Sequence, residues 1–191
     1  MTAVAGLLHE KRVYIGADSA GVCTTTLSLM IRRDPKVFQV GPFLIGYTSS
    51  FRMGQVLRFG EAGSTLAELL VLHDKENSDP YDLVVTKLIP WCRRCFKEAG
   101  FAEKEKERES GGAFLVGFRS RLFSIGTDYQ VAESVYPFDA VGCGADLVLG
   151  SLFSTAKLGK KLPPTIRVKM ALEAAAAFSA GVRPPFLIRA L

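Results

Sequence analysis

Residues 2–19, TAVAGLLHEKRVYIGADS, decide the fold because they contain two β-rich runs with only two residues between them. The runs cover residues 2–9 and 12–18, and Glu10 and Lys11 separate them. Strand-like runs joined by so short a connection are typical of a β-hairpin. The chain is therefore expected to begin with a pair of antiparallel strands.

Two more strand-like runs follow this hairpin. They cover residues 22–31 and 36–48, and a turn at Gly41 and Pro42 divides the second run. The N-terminal quarter of the chain is therefore predicted to be antiparallel β-structure.

The middle of the chain is predicted to be helical because its apolar residues recur every three or four positions. Helices are expected over residues 50–73 and 79–99, with Asp79 as the N-cap and Pro80 at the first helical position of the second helix. A second hairpin is predicted at residues 114–118 and 121–125, and a short strand near 140–141. Two helices at 145–158 and 164–180 and a closing strand at 185–191 follow.

This order of elements is neither the alternation of a doubly wound parallel sheet nor an all-β pattern. Several strands are apolar on both faces, so each face must be covered by another layer. We therefore predict an α+β fold in which two antiparallel sheets pack on each other with helices outside, a four-layer αββα sandwich. Residues 1–191 are predicted to form a single domain because the sequence shows neither an internal repeat nor a linker.

Composition and charge exclude several classes of protein. Of the 191 residues, 48% are hydrophobic and 23% are charged, which excludes disordered and low-complexity chains. No apolar run approaches the roughly 18 residues that a membrane span needs. The net charge of +5 comes from scattered basic residues without an aromatic stripe, so we expect neither a nucleic-acid nor a membrane partner.

The sign-alternating residues 103–109, EKEKERE, are expected to form a solvated loop or helix face.

The N-terminus predicts the cellular compartment. It has neither the basic region nor the apolar stretch of a signal peptide, so a cytoplasmic location is expected. The four cysteines are then expected to be free thiols.

Conventional catalytic and metal-binding motifs do not account for the sequence. Its two histidines, His9 and His73, lack a G-x-S-x-G partner, which makes a Ser-His-Asp triad improbable. Its single C-x-x-C pair lacks the second pair or nearby histidine of a zinc site. The Gly142-Cys143-Gly144 turn lacks the third glycine of a dinucleotide site and is interpreted as a tight strand-to-helix turn. We expect neither a metal nor another cofactor.

The C-x-x-C pair itself offers an alternative function. Residues 91–95, WCRRC, resemble the W-C-x-x-C of thioredoxin-like oxidoreductases. A helix that begins at Pro80 and continues through this pair would instead place Cys92 and Cys95 one turn apart as half-buried packing residues. The packing interpretation is preferred, and a thiol oxidoreductase is kept as an alternative.

The N-terminal residue after Met1 offers a different catalytic group. Removal of Met1, which a small second residue favours, would leave Thr2 with a hydroxyl and a free α-amine. An α-amine titrates at about 7.7–8.0, so its neutral fraction could act as the base that activates the hydroxyl. This arrangement also needs a nearby cation and a carboxylate that holds it. Lys36 and Asp18, at the ends of predicted strands, could supply them.

Several segments together resemble the proteasome β-subunit family, including its bacterial heat-shock relative. These segments are TAVAG at 2–6, YIGADS at 14–19, KV at 36–37, IG at 45–46 and VGCG at 141–144. The resemblance spans nearly the whole chain and is strongest over residues 2–52. It implies the N-terminal nucleophile hydrolase fold, an αββα sandwich. It also implies hydrolysis of peptides or unfolded proteins inside a homo-oligomeric ring of six or seven subunits, usually stacked in pairs and fed by an ATP-dependent unfoldase.

The resemblance also implies roles for individual residues. Thr2 is the nucleophile with its own amine as base, and Asp18 and Lys36 complete the catalytic trio. The separation of Lys36 from Thr2 is two residues longer than usual in the family, which a longer hairpin over residues 21–33 could absorb. The expected oxyanion donor is a backbone N–H within residues 48–50, and that of Ser49 is preferred.

Two positions depart from the family pattern. Cys143 takes the place of a serine that helps to hold the threonine amine, and Ala176 stands where a supporting aspartate is usual. Ser179 is retained nearby, and Cys143 and Ser179 are expected to support the trio. A catalytically inactive protein that keeps the ring or scaffold role remains an alternative to the peptidase.

Overall fold

The computed structural model describes residues 1–60, 78–105, 108–158 and 162–191. Its strands are β1 (Ala3–His9), β2 (Arg12–Ala17), β3 (Ala20–Val22), β4 (Leu29–Ile31), β5 (Val37–Val40), β6 (Phe43–Tyr47), β7 (Glu103–Glu105), β8 (Arg108–Ser110), β9 (Phe114–Phe118), β10 (Arg121–Ile125), β11 (Val131–Ala132), β12 (Phe138–Gly142) and β13 (Leu187–Ala190). Its helices are α1 (Phe51–Phe59), α2 (Pro80–Leu83, a π-helical turn at Val84–Leu88, and Ile89–Glu98), α3 (Ala145–Lys157) and α4 (Pro164–Phe178). None of the helices in these ranges is both long and apolar enough to cross a membrane.

Two antiparallel sheets form the centre of the molecule. The first has the strand order β12-β1-β2-β13, and the second has the order β11-β10-β9-β6-β5. Strands β1 and β2 pair so that His9 lies opposite Arg12, which confirms the predicted N-terminal hairpin. Its turn residues, Glu10 and Lys11, have φ values of 48° and 62°, as a two-residue hairpin turn requires.

The buried residues form three hydrophobic cores, and the alternating side chains of β1 contribute to two of them. Ala3, Ala5 and Leu7 face α3 and α4, whereas Val4 faces the second sheet. The outer face of the second sheet packs against α1 and α2 in a third core, which contains Trp91. The layers therefore follow the predicted order of helices, sheet, sheet and helices.

The two sheets approach each other closely at Gly46. A Cβ atom at this position would lie 2.6 Å from Ile15 and 2.7 Å from Val4, both of which belong to the opposite sheet. A larger residue would therefore separate the sheets near the ends of the strands that carry the candidate site.

Helix α2 begins as predicted. Asp79 Oδ1 accepts the Tyr81 N–H at 2.7 Å, and Pro80 occupies the first turn. Pro90 lies inside the helix, where it lacks an N–H and its ring crowds the carbonyl four residues earlier. The wider turn at Val84–Leu88 precedes Pro90 and accommodates it.

The prediction of one strand over residues 22–31 is wrong. The chain forms the short paired strands β3 and β4 there, and a turn connects them. Leu27, in this turn, has a φ of 57°, and its N–H donates to the Cys23 carbonyl at 2.8 Å. This local hydrogen bond closes the turn. It outweighs the strand preference of the threonines that lie between Cys23 and Leu27.

Three smaller differences complete the comparison. The helix predicted over residues 50–73 is confirmed for α1, but the backbone of Gly60 is extended, and residues 61–73 lie outside the described ranges. Strands β7 and β8 pair as a small hairpin, where a solvated loop or helix face was expected. Strand β11, which pairs with β10, was not predicted.

Candidate active site

Thr2, Asp18 and Lys36 meet between the two sheets, at the ends of three strands. Thr2 precedes β1, Asp18 follows β2 and Lys36 precedes β5, so two strands of the first sheet and one of the second position them. Their exposed fractions are only 4%, 2% and 3%. The folded chain therefore brings together the three residues that the sequence singled out.

The Lys36 side chain joins the other two residues. Its Nζ lies 2.7 Å from Oγ1 of Thr2, 2.8 Å from Oδ1 of Asp18 and 2.7 Å from the carbonyl oxygen of Ala20. An ammonium has three N–H donors and no acceptor, so these three contacts match a charged lysine. Burial lowers the pKa of Lys36, and the negative charge of Asp18 opposes that effect.

Four donors fix the Asp18 carboxylate. Oδ1 accepts from Lys36 and from the Ala3 N–H at 3.2 Å. Oδ2 accepts from the N–H groups of Ala20 at 2.8 Å and Arg183 at 3.3 Å. These bonds hold the carboxylate in one orientation beside Lys36.

Cys143 lies on the nitrogen side of Thr2. The backbone N–H of Thr2 donates to Sγ of Cys143 at 3.2 Å, and that sulfur lies 3.6 Å from Oγ of Ser179. Ser179 therefore connects to Thr2 through Cys143. With Met1 attached, the Thr2 nitrogen is a peptide N–H, and Oγ1 of Thr2 donates to the Met1 carbonyl at 2.6 Å.

The turn between β12 and α3 clamps the Thr2 carbonyl. Gly142 has a φ of 102°, and a Cβ atom there would lie 2.3 Å from the Thr2 carbonyl oxygen. The Gly144 N–H donates to the same oxygen at 3.3 Å. The glycines of this turn thus serve close approach to Thr2, within the strand-to-helix turn that the sequence predicts.

Ser49 lines a cavity of about 50 Å³ that Thr2 and Lys36 also line. The neighbouring N–H groups are engaged, because Thr48 donates to Ala113 and Ser50 donates to Thr48. Within the described part of the chain, the Ser49 N–H has no acceptor. Its backbone has a positive φ of 69°. Among residues 48–50, the N–H of Ser49 is therefore the one that remains available.

Cys92 and Cys95 belong to the core beneath the second sheet. Their exposed fractions are 0% and 4%, so they are more deeply buried than the sequence suggested. Burial raises the pKa of Cys92 well above its usual value and the pKa of Cys95 to about 11. A redox-active pair needs the opposite change, so the geometry does not favour a thiol oxidoreductase. No cluster of potential metal ligands is found among the described residues.

The backbone groups that contact Asp18 and Lys36 were not predicted. The Ala20 carbonyl is the third acceptor of Lys36, and the Arg183 N–H is a donor to Asp18. Every residue has such groups, so residue identity carries no signal for them. The pairing of β3 with β4, had it been predicted, would have placed Ala20 at the start of a strand beside Asp18.

Comparison with solved structures places the fold among HslV- and proteasome-like proteins. Thiobacillus denitrificans BPH in complex with epoxomicin is 16% identical with a TM-score of 0.70, and the match covers 99% of this chain and 97% of that chain. Thiobacillus denitrificans BPH alone gives 17% identity, a TM-score of 0.71 and the same coverage. Eukaryotic HslV from Trypanosoma brucei is 12% identical with a TM-score of 0.67, and the match covers 99% of this chain and 98% of that chain. No protein-family model and no curated protein matches the sequence.

Proposed function

From the premise that this chain has the HslV- and proteasome-like fold, we propose that it is a threonine-type endopeptidase whose nucleophile is Thr2 after removal of Met1. The observation that carries the proposal is the 2.7 Å contact between Nζ of Lys36 and Oγ1 of Thr2, with Asp18 on the other side of the ammonium. Neither an N-terminal threonine nor a buried ion pair is unusual alone, but their contact supplies a nucleophile with an adjacent cation.

Removal of Met1 converts the Thr2 nitrogen from a peptide N–H into a primary amine. The lone pair of this amine can then accept the proton of Oγ1. The nearby charge of Lys36 disfavours a second positive charge on the amine and so keeps the lone pair available. Lys36 also donates to Oγ1, which stabilises the negative charge that develops there as the proton leaves.

The reaction then proceeds through an ester. Oγ1 of Thr2 bonds to the carbonyl carbon of the substrate, and the oxyanion that forms accepts the N–H of Ser49. The carbon–nitrogen bond breaks, and the proton held by the Thr2 amine moves to the leaving nitrogen. A water molecule that gives a proton to the same amine hydrolyses the ester, which releases the carboxylic acid and restores Thr2.

Peptides and unfolded proteins are the proposed substrates, and residues 1–191 would form one peptidase domain. We propose a homo-oligomeric ring of six or seven subunits, single or stacked in pairs, in the cytoplasm, with an ATP-dependent unfoldase as partner. Exposed apolar side chains on the outer helices, such as Phe153 at 44% and Phe178 at 81%, support burial between subunits. Light scattering tests the ring, and a monodisperse monomer at micromolar concentration would contradict it.

A peptide epoxyketone tests the catalytic proposal because it reacts with the amine and the hydroxyl of an N-terminal threonine together. Protein that lacks Met1 should hydrolyse fluorogenic peptides and gain the reagent mass. Protein that retains Met1 is the matched control, since it keeps the Thr2 hydroxyl but has no free amine on Thr2, and it should do neither.

The alternative is a catalytically inactive ring or scaffold protein. Ala176 favours it, because this position offers no carboxylate to support the Thr2 amine. If protein without Met1 shows neither turnover nor labelling, even with candidate ATPases present, the peptidase proposal fails and the scaffold takes its place.

A further inference from the structure

Arg183 contacts the candidate site through its backbone. Its N–H donates to Oδ2 of Asp18 at 3.3 Å, and its carbonyl accepts the Ser19 N–H at 3.0 Å. These two bonds tie the segment after α4 to the end of β2. The backbone of Arg183 therefore helps to orient the carboxylate that holds Lys36.

The side chain of Arg183 points back to the end of α4. Its Nη1 lies 3.4 Å from the carbonyl oxygen of Ala176, 2.9 Å from that of Ser179 and 2.6 Å from that of Val182. Ala176 lies in the last turn of α4, where carbonyl groups lack helical partners and carry partial negative charge, whereas Ser179 and Val182 lie in the turn that follows the helix. The guanidinium supplies N–H donors as well as a positive charge to these carbonyl oxygens, so it fixes the turn that contains Ser179.

This turn leads to the other side of Thr2. Ser179 Oγ lies 3.6 Å from Sγ of Cys143, which accepts the Thr2 N–H at 3.2 Å. Two series of contacts therefore link Arg183 to Thr2. The side chain of Arg183 connects through Ser179 and Cys143 to the Thr2 nitrogen. Its backbone N–H connects through Asp18 and Lys36 to the Thr2 hydroxyl.

We propose that Arg183 is a positioning residue that aligns the nitrogen and the hydroxyl of Thr2 with each other. The inference rests on the proposed function, in which these two atoms exchange a proton. A proton transfer of this kind is sensitive to small displacements, because misplacement by about 1 Å can cost roughly 100-fold in rate. An arginine that only capped α4 would affect stability alone.

Two substitutions of Arg183 test the proposal. Arg183→Met keeps the length of the side chain but removes its donors and its charge. Arg183→Lys places an ammonium, with three N–H donors, beside three carbonyl oxygens. We expect Arg183→Met to lower kcat roughly 10-fold to 100-fold with little change in KM, and Arg183→Lys to recover most of the loss.

Arg167→Met is the matched control. The Arg167 guanidinium also contacts a helix, since it donates to the Leu152 carbonyl at 3.0 Å and to Oγ1 of Thr155 at 3.3 Å, but these acceptors belong to α3 and not to the site. This variant should lose stability and keep kcat. If Arg183→Met does not fold, Arg183→Gln, which removes the charge but retains one donor group, takes its place, and a loss of kcat that Arg183→Lys relieves is again expected.

The wild-type rate separates the possible outcomes. Turnover by the wild type together with unchanged kcat in Arg183→Met would overturn the positioning role and leave the proposed function intact. A loss of kcat that Arg183→Lys does not relieve would also overturn it, because the donors and the charge would then not be the cause. Absence of turnover in the mature wild type would overturn the proposed function, and the positioning role with it.

Discussion

Nζ of Lys36 donates to Oγ1 of Thr2 over 2.7 Å although the two residues are 34 positions apart in the sequence. Lys36 precedes a strand of the second sheet and Thr2 precedes a strand of the first, so this contact exists only when the two sheets are packed. A buried ammonium is costly unless its donors are satisfied, and the hydroxyl, Asp18 and the Ala20 carbonyl satisfy all three. The complete site therefore requires that the two sheets pack together.

Lys36→Ala should abolish peptide hydrolysis while leaving the proposed ring assembled, because the amine of Thr2 then protonates more readily and Oγ1 loses its donor. Removal of one partner of a buried ion pair should also lower the free energy of unfolding by about 3–5 kcal/mol. Light scattering and urea unfolding measure these effects. Combining the change with Asp18→Asn should restore part of the stability but none of the activity. Full activity in Lys36→Ala would show that a different cation serves Thr2.

The pH dependence of kcat should report the charge of Lys36. Burial lowers the pKa of this lysine, so it loses its proton as the pH rises through a value below that of an ordinary lysine. Oγ1 then loses its charged donor, and kcat should fall on the alkaline side. Lys36→Arg should be only partly active because a planar guanidinium fits the ammonium site poorly, but its alkaline decline should move to higher pH. The same alkaline limb in both proteins would contradict this assignment.

Thiol reactivity should separate the four cysteines into two pairs. Cys23 and Cys143 are exposed, whereas Cys92 and Cys95 are buried, so native protein should titrate two thiols and denatured protein four. The double change Cys92→Ser with Cys95→Ser should leave peptidase activity unchanged. It should lower the free energy of unfolding by about 1–3 kcal/mol for each buried hydroxyl without an acceptor.

Cys23→Ser is the control for this experiment, because an exposed substitution should change stability by no more than about 0.5 kcal/mol. Robust disulfide-reductase turnover that the double substitution removes would restore the thiol oxidoreductase interpretation.

Local signals account for the part of the fold that the sequence predicts. The β1–β2 hairpin needs only two strand-like runs and a short connection, and α2 needs only its cap and Pro80. The β3–β4 turn was missed because the preference of successive threonines for strands favours one long strand, and the Cys23–Leu27 hydrogen bond that closes the turn has no side-chain signal.

The candidate site was likewise predicted only in part. Thr2, Asp18 and Lys36 were predicted because their side chains carry the chemistry and the segments around them resemble a known family. The Ala20 carbonyl and the Arg183 N–H could not be predicted, because backbone groups are alike in every residue and only the folded chain brings them to the site.

Gly142→Ala should displace Thr2 and remove peptidase activity. Its φ of 102° is unfavourable for alanine, and the added Cβ would meet the Thr2 carbonyl oxygen at 2.3 Å. The strain should lower the free energy of unfolding by about 1–3 kcal/mol. Gly150→Ala is the matched control, because Gly150 lies in α3 and its added Cβ would meet no atom within 4 Å other than the nearby backbone of that helix. It should raise stability by up to about 1 kcal/mol and leave kcat unchanged. Equal activities in the two variants would show that Gly142 does not hold Thr2.

Thr2→Ala and Thr2→Ser together test whether one residue supplies both nucleophile and base. Each replacement is small, so removal of Met1 should continue, and intact mass verifies it before any assay. Thr2→Ala keeps the amine but loses the hydroxyl, and kcat should fall by ~10⁴-fold or more, as expected when a nucleophile is lost. Thr2→Ser keeps both groups and should retain part of the activity and epoxyketone labelling. Its lower rate should reflect the greater rotamer freedom of a side chain without the γ-methyl group. Wild-type turnover by purified Thr2→Ala would assign the hydrolysis to another residue and reject Thr2 as the nucleophile.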